Sequence, residues 1–204
     1  MIGAPGALRK ARAVTITLGE GYGCAYLTEV GARAPFTDLP EPPMTIQIGD
    51  RIPSATLSQG TPEGPRPVHT DEFFKGRTVA LFAVPGAFTP TCSARHLPGY
   101  VDNKSALADK GVDVIACLSV NDAFVMNAWA ESQSLTPDDV VMLADGSGDF
   151  TRTLGLVLDA RGFGMGERSQ RYSMLVKDGV VTQLNIEQGG EFKVSSAEHL
   201  LAQL

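Results

Sequence analysis

The chain has 204 residues, 43% of them hydrophobic and 20% charged, a composition that fits one globular domain with a substantial core. Its formal net charge is −6 and it carries no run of lysine or arginine, which argues against nucleic-acid binding, and its apolar stretches are too short to span a membrane. Three scattered cysteines without a Cys-x-x-Cys pair exclude a disulfide framework, a zinc ribbon and a thioredoxin-type dithiol, and they indicate a reducing, cytoplasmic compartment.

Residues 1–43 differ in composition from the rest of the chain and end in Pro40-Glu41-Pro42-Pro43. Basic residues at positions 9, 10 and 12 are compatible with a targeting peptide, whereas the four acidic residues of this segment argue against one. A targeting segment, an upstream extension and a misplaced start all stay open. We predict that residues 1–43 are an N-terminal extension outside the fold and that residues 44–204 form the domain.

The first half of the predicted domain leads to a cysteine between a strand and a helix. Gly60 to Pro67 is rich in proline and glycine and predicts a loop, and residues 70–74 predict a short capped helical turn. Residues 77–83 predict a buried strand, and residues 93–109 predict a helix with a kink at Pro98. Cys92 therefore stands at the start of a helix.

The second half alternates between strands and helices. The predicted elements are a strand over 112–120, a helix over 122–134, a strand over 140–143, a short helix over 148–154, strands over 172–176 and 180–184, and a helix over 197–204. Lys177-Asp178-Gly179 predicts a hairpin turn, and Ser195 or Ser196 predicts the cap of the last helix. This order favours an α/β fold with a mixed central sheet and helices on both faces.

Cys92 has the features of an activated nucleophile. The unpaired N–H groups and the positive dipole end of a helix start both favour a thiolate. Thr89 supplies a hydroxyl three residues earlier, and Pro85 and Pro90 keep the approach loop out of a strand. The alternative is a buried cysteine that packs as a small apolar side chain.

The pattern Pro-x-x-x-Thr-x-x-Cys, formed by Pro85, Thr89 and Cys92, resembles the active-site signature of the peroxiredoxins. The run VPGAFTPTCSARHLPGYV, followed by GVDVIACLSVNDAFVMNAW, MLADGSGDF and RYSMLVKDGVV, resembles their type-II or type-five subfamily from about Met44 to Leu204. The resemblance implies a thioredoxin-like fold, a homodimer, and a thiol-dependent peroxidase that reduces hydrogen peroxide and alkyl hydroperoxides. It implies no metal and no organic cofactor, because the sulfur itself carries the redox chemistry.

The same resemblance implies the catalytic roles. Cys92 is the expected peroxide-reactive thiolate, and Arg171, in the Arg-Tyr-Ser motif, is the expected cation beside it. Thr89 is expected to bond the thiolate and the peroxide, and Pro85 is expected to shield the pocket. Arg168 is a weaker candidate for the cation.

The route by which the oxidised sulfur is reduced depends on the other cysteines. Cys117 occupies the place of a second family cysteine and is a possible resolving thiol, but its apolar run predicts a buried strand and a structural role. The late cysteine of some relatives is missing from residues 190–196, and Cys24 is expected to have no role. We therefore predict a one-cysteine cycle with glutathione and glutaredoxin as reductant, and direct reduction by thioredoxin as the alternative.

Two other functions are considered. His96, four residues after Cys92, would suit a Cys–His acyl-transfer enzyme, but without an identifiable orienting partner we expect it to cap or pack locally. A redox-sensing or thioredoxin-like interaction protein also stays open. Residues 162–166 are glycine-rich but lack the ending of a phosphate-binding loop, so they predict a flexible loop before Arg171.

Overall fold

The structure is a computed structural model that describes residues 44–61 and 64–204. The predicted extension, residues 1–43, and Cys24 within it lie outside the described residues, so both stay predictions. No helix in the described part of the chain is long and apolar enough to cross a membrane.

The described residues form nine strands, six α-helices, one π-helical turn and one 3₁₀ turn. In chain order they are β1 Thr56–Thr61, β2 Gly64–His69, α1 Thr70–Phe73, β3 Thr78–Val84, a π-helical turn Cys92–His96, α2 Leu97–Asp102, α3 Lys104–Asp109, β4 Val114–Ser119, α4 Ala123–Ser132, β5 Val141–Ala144, α5 Asp149–Thr153, β6 Val157–Asp159, a 3₁₀ turn Arg161–Phe163, β7 Glu167–Ser169, β8 Tyr172–Lys177, β9 Val180–Ile186 and α6 Ala197–Leu201.

Seven strands form one mixed sheet in the order β2-β1-β5-β4-β3-β8-β9, and β6 and β7 form a separate hairpin. The central strands β3, β4 and β5 are parallel, and β8 joins β3 in the antiparallel sense. The register sets Val84 opposite Ser119 and Ala83 opposite Tyr172. The ends of β3 and β4 and the start of β8 therefore meet at one edge, where the site lies.

Alternating side chains of the central strands bury two separate apolar layers, as expected for a sheet covered on both faces. On one face Phe82 and Cys117 pack in the cluster that includes α2, α4 and α6, through Tyr100, Trp129 and Leu200. On the other face Leu81 and Leu118 share a cluster with Phe74, just after α1, and with Phe150 of α5. The predicted mixed sheet with helices on both faces is confirmed.

The predicted loop over residues 60–67 is wrong. Gly60 lies within β1, which ends at Thr61, and among the described strands β2, from Gly64 to His69, pairs with β1 alone. Pro65 and Pro67 cannot donate to a ladder, but β2 lies at the edge of the sheet, where proline is tolerated. Composition indicated a loop because it carries no information about which strand is at an edge.

The predicted single helix over residues 93–109 is divided into three parts. A π-helical turn comes first, in which the Leu97 N–H donates to the Cys92 carbonyl, and α2 carries Pro98 in its first turn. Proline has no N–H to continue the regular α-helical ladder, and a wider turn accommodates it. Asn103 then separates α2 from α3. The predicted kink is thus a change of helix type at the cysteine itself.

The glycine-rich residues 162–166 form the tip of the β6–β7 hairpin, which the sequence did not predict. Gly164 and Gly166 take φ values of 71° and 70°, which favour glycine. The Ala160 N–H donates to the Gly166 carbonyl at 2.8 Å, so the tip is an organised turn. The predicted flexible loop is therefore a hydrogen-bonded hairpin end.

Candidate active site

The loop between β3 and the π-helical turn is held in place by an asparagine that lies two residues after the neighbouring strand β4. The Asn121 Oδ1 accepts from the Ala87 N–H at 3.0 Å and from the Ser119 hydroxyl at 2.7 Å. Phe88, next in the loop, has φ +60°, a left-handed conformation that is unfavourable for a bulky side chain and is kept only where surrounding contacts impose it. Pro85 lies half-buried at the start of this loop.

Cys92 begins the π-helical turn and is fully buried. The Thr89 Oγ1 lies 2.8 Å from the Cys92 Sγ and 2.9 Å from the Gly86 carbonyl oxygen. A hydroxyl has one proton to donate, so Thr89 donates either to the sulfur or to the carbonyl. A thiolate is the stronger acceptor, and Thr89 can therefore stabilise a charged sulfur by turning its proton towards it.

Arg171 reaches the same sulfur from the other side of the site. It directly precedes β8, and the pairing of β8 with β3 brings it to the end of β3. Its Nη1 lies 3.4 Å from the Cys92 Sγ, and the residue is 9% exposed. A permanent cation in a buried site attracts a negative sulfur more strongly than it would in water.

Arg168 has a different position. Its Nε donates to the Met165 carbonyl and its Nη1 to the Val120 carbonyl, each at 2.8 Å. These bonds connect the β6–β7 hairpin to the segment after β4. Arg168 therefore braces two loops, while Arg171 contacts the sulfur.

His96 lies within the site, contrary to the expectation of local capping or packing. It is fully buried, its Nδ1 is 3.2 Å from the Arg171 Nη1, and its Nε2 is 3.0 Å from the Ser195 carbonyl. Arginine only donates and a carbonyl only accepts, so Nδ1 is the bare nitrogen and Nε2 carries the proton. Burial above all, and then the Arg171 charge, lower the pKa of His96 from 6.5 to about 3.

A buried carboxylate organises the loop between β9 and α6. The Glu187 Oε1 accepts from the Lys193 N–H at 2.6 Å, the Ser195 N–H at 2.8 Å and the Ser195 hydroxyl at 2.9 Å. Burial by itself would raise the pKa of Glu187, but these bonds outweigh it and lower the pKa. Sequence reasoning missed Asn121, Glu187 and Ser195, because no local pattern connects them to a cysteine so far away in the chain.

Cys117 is fully buried in the middle of β4, opposite Phe82 of β3. Burial, and next the nearby Cys92 sulfur, raise the pKa of the Cys117 thiol well above its usual value. Cys92 and Cys117 belong to the same apolar cluster. The structure therefore places the possible resolving thiol on the correct face of the sheet but in an unreactive environment.

The arrangement of Thr89, Cys92 and Arg171 suits attack of sulfur on an electrophile that gains negative charge as it leaves. It does not suit acyl transfer through His96, because the bare Nδ1 is occupied by Arg171 and the low pKa makes His96 a weak base. Among residues 44–61 and 64–204, no group of three or more histidine, cysteine or acidic side chains could hold a metal ion.

Comparison with known proteins gives a consistent family match. Residues 47–201 match the family model described as Redoxin. The chain is 52% identical over 164 residues to "Peroxiredoxin-2E-2, chloroplastic" of Oryza sativa subsp. japonica, covering 78% of this chain and 73% of the rice protein. It is 46% identical over 164 residues to Peroxiredoxin-2B of Arabidopsis thaliana, covering 78% of this chain and 98% of that protein.

Solved structures share the fold. The crystal structure of reduced Prx3 from Vibrio vulnificus in complex with hydrogen peroxide aligns with a TM-score of 0.74 and 54% sequence identity, covering 78% of this chain and 99% of that chain. The expected thioredoxin-like α/β fold is thereby confirmed.

Proposed function

This chain belongs to the peroxiredoxins and is a thiol-dependent peroxidase, and from that premise we propose that Cys92 is the reacting thiol for hydrogen peroxide and small alkyl hydroperoxides. One observation carries the assignment: the Thr89 Oγ1 and the Arg171 Nη1 converge on the Cys92 Sγ, at 2.8 and 3.4 Å. Both groups donate, so both favour a thiolate and the charge that develops on a departing oxygen.

In the proposed reaction the Cys92 thiolate attacks one peroxide oxygen, the O–O bond breaks, and the sulfur becomes a sulfenic acid. The other oxygen leaves with the bond's electron pair and takes a proton, giving water or an alcohol. Arg171 and Thr89 stabilise the leaving oxygen, and Pro85 limits access of water to the buried sulfur. The full burial of Cys92 favours small hydroperoxides over bulky ones.

We propose an external thiol as reductant, with glutathione and glutaredoxin before thioredoxin. Glutathione attacks the sulfenic acid to give water and a mixed disulfide. Glutaredoxin then takes over the glutathione moiety as its own mixed disulfide, which releases the Cys92 thiolate, and a second glutathione frees glutaredoxin and forms oxidised glutathione. The position of Cys117 in a central, fully buried strand supports this route, since an internal disulfide would require β4 to leave its pairing with β3 and β5.

The test is turnover of hydrogen peroxide with each reductant system supplied in turn. Glutathione with glutaredoxin should support faster turnover than thioredoxin with its reductase, and Cys92→Ser should abolish both. Faster turnover with thioredoxin would reverse the order of the two reductants. Full activity of Cys92→Ser would overturn the assignment of the thiol.

We also propose a homodimer. Two large apolar side chains near the site are exposed: Phe88, 55% exposed in the site loop, and Phe124, 68% exposed in the first turn of α4. Asn121 accepts a hydrogen bond from the loop that carries Phe88 and lies two residues before α4, which carries Phe124. Both side chains therefore lie at one end of the sheet. Such side chains support a contact with a second copy. Replacing both with serine should shift the sedimentation coefficient to that of a monomer, and an unchanged value would contradict the dimer at this surface.

A cytoplasmic location is likewise a proposal. It is supported by Cys92 and Cys117, which are free cysteines in the described part of the chain and fit a reducing compartment. The rice relative is named as chloroplastic, so cell fractionation of the native protein is the deciding experiment.

A further inference from the structure

The buried Glu187 contacts Arg171 through two separate routes. Its own backbone N–H donates to the Arg171 carbonyl at 3.0 Å, just where β8 begins. Its carboxylate fixes Ser195, whose carbonyl accepts from the His96 Nε2, while the His96 Nδ1 accepts from the Arg171 guanidinium. One residue therefore restrains the backbone of Arg171 directly and its guanidinium through Ser195 and His96.

The same carboxylate places an aromatic ring over the guanidinium. The Lys193 N–H donates to the Glu187 Oε1 at 2.6 Å, which fixes the backbone beside Phe192. The ring centre of Phe192 lies 4.9 Å from that of His96 and 5.9 Å from the Arg171 Cζ. A cation at this distance from an aromatic face is attracted to it, so Phe192 restricts Arg171 from a third direction.

A restrained arginine matters because the reaction needs donors at fixed positions. A long cationic side chain has many rotamers, and only some of them point at the leaving oxygen. A donor that is already in place lowers the barrier, since no free energy is spent on ordering it during the reaction.

We propose that Glu187 is a positioning residue for the peroxidase reaction: its carboxylate holds the loop over residues 187–195 so that His96 and Phe192 keep the Arg171 guanidinium on Cys92. This inference rests on the proposed role of Cys92 and Arg171. It assigns a catalytic consequence to a loop that carries no cysteine.

The chain offers a matched control in the same loop. Glu191 is exposed, and its carboxylate forms an ion pair with the Lys193 Nζ at 2.7 Å. Glu191→Ala removes an acidic side chain four positions from Glu187 without affecting the contacts to Ser195. Glu187→Gln is the conservative variant, because it keeps an acceptor oxygen and loses the charge.

The experiment is a double-mutant cycle on the full chain, with the rate of Cys92 oxidation by peroxide measured in single turnovers. Glu187→Ala should slow oxidation at least tenfold in the background with wild-type Arg171. In the Arg171→Lys background it should slow oxidation less than twofold. Glu191→Ala should change neither rate by more than twofold, and Glu187→Gln should fall between wild type and Glu187→Ala.

The cycle also separates positioning from loss of structure. Alkylation of Cys92 by iodoacetamide needs the nucleophilic sulfur but no stabilised leaving oxygen, so Glu187→Ala should slow it less than it slows peroxide oxidation. If Glu187→Ala does not fold, Glu187→Gln is measured in both backgrounds instead. It should slow peroxide oxidation at least threefold when Arg171 is present and should have no effect in the Arg171→Lys background.

Two results would overturn the inference: equal losses in both backgrounds, or no loss beside Arg171. If wild-type Cys92 does not react with peroxide at all, the proposed function fails. If wild type reacts and the cycle is additive, only the role of Glu187 fails.

Discussion

Thr89 is the residue in the site whose single proton has two acceptors within reach. It can bond the Gly86 carbonyl at 2.9 Å or the Cys92 sulfur at 2.8 Å. We propose that the hydroxyl follows the charge of the sulfur: it bonds the carbonyl while the sulfur is a thiol and turns to a thiolate or to bound peroxide. In this proposal the role of Thr89 depends on its hydroxyl and not on the shape of its side chain.

Thr89→Val should slow single-turnover oxidation of Cys92 by tenfold or more, since a valine of the same shape cannot donate a hydrogen bond. The oxidation rate of Thr89→Ser should stay within about threefold of wild type, because serine keeps the hydroxyl. Thr91→Val is the matched control, because the Thr91 side chain forms no capping bond to the helix that it precedes. Stopped-flow fluorescence can follow the oxidation, and equal rates for Thr89→Val and Thr89→Ser would show that the hydroxyl is not used.

Arg171→Lys should slow the same step by an order of magnitude or more although it keeps the charge. The Arg171 Nη1 contacts both the Cys92 sulfur and the His96 ring, and the planar guanidinium holds its donors in fixed directions. The lysine ammonium is a point charge on a flexible stem and cannot reproduce these directions. Arg168→Lys should be milder, because Arg168 donates to the carbonyls of Val120 and Met165. Equal losses at the two positions would mean that overall loop order, and not the contact with sulfur, sets the rate.

The sequence indicated the proposed reacting groups, which the structure brings together, but not the groups that hold them. Thr89 and Cys92 lie in one short motif, and Arg171 lies in a recognisable one. Glu187 and Ser195 have no such mark, since a buried glutamate with three donors looks like a surface glutamate until the loop is folded. His96 was visible at helical spacing from Cys92, yet its partners are Arg171, just before β8, and Ser195, in the loop before α6.

At the scale of elements, β4 determines what Cys117 can do. The strand lies between β3 and β5 with parallel pairing on both sides, and Cys117 is completely buried within it. Moving Cys117 out of the sheet would break ladder bonds and expose apolar surface, each with a cost of about 1 kcal/mol or more. We therefore propose that β4 disfavours an internal disulfide.

Cys117→Ala should keep at least half of the peroxide turnover with glutathione and glutaredoxin, while lowering the free energy of unfolding by about 1 kcal/mol through the small cavity it leaves. Turnover assays and urea unfolding measure the two effects. Cys92→Ala is the control for activity, since it should abolish turnover. A loss of turnover in Cys117→Ala that matches the loss in Cys92→Ala would identify Cys117 as a resolving thiol.

Each element that the sequence failed to predict depends on a feature that its local composition does not show. Prolines at positions 65 and 67 are compatible with a strand only because β2 is at the edge of the sheet. The π-helical turn at Cys92 could be predicted only as a kink, because Pro98 shows where regular bonding stops but not which helix type replaces it. The central strands were predictable since each is a continuous apolar run.

At the scale of the whole molecule, the buried His96 makes stability depend on pH. Its pKa falls from 6.5 to about 3 on folding, through burial and the nearby Arg171, so between these values the unfolded chain binds a proton that the folded chain does not. The free energy of unfolding therefore decreases as the pH falls from 6.5 towards 3. Glu187 acts in the same direction below its ordinary value of 4.5, since its pKa is also lowered.

His96→Gln should remove part of this dependence. Between pH 4.5 and 6, the slope of unfolding free energy against pH should be smaller in the variant by up to about 1.4 kcal/mol per pH unit. Urea unfolding curves at several pH values give both slopes, and His199→Gln, a change in a half-buried histidine of α6, is the control. Parallel slopes for wild type and His96→Gln would show that His96 titrates normally in the folded protein.

We propose that peroxide oxidises Cys92 and that an external thiol reduces it. Intact-mass and peptide mass spectrometry after one equivalent of hydrogen peroxide, with and without glutathione, can follow both steps on the Cys92 peptide. We expect one added oxygen on this peptide without glutathione, and a glutathione adduct at Cys92 when glutathione is present. A quantitative disulfide between Cys92 and Cys117, formed as fast as the enzyme turns over, would contradict it.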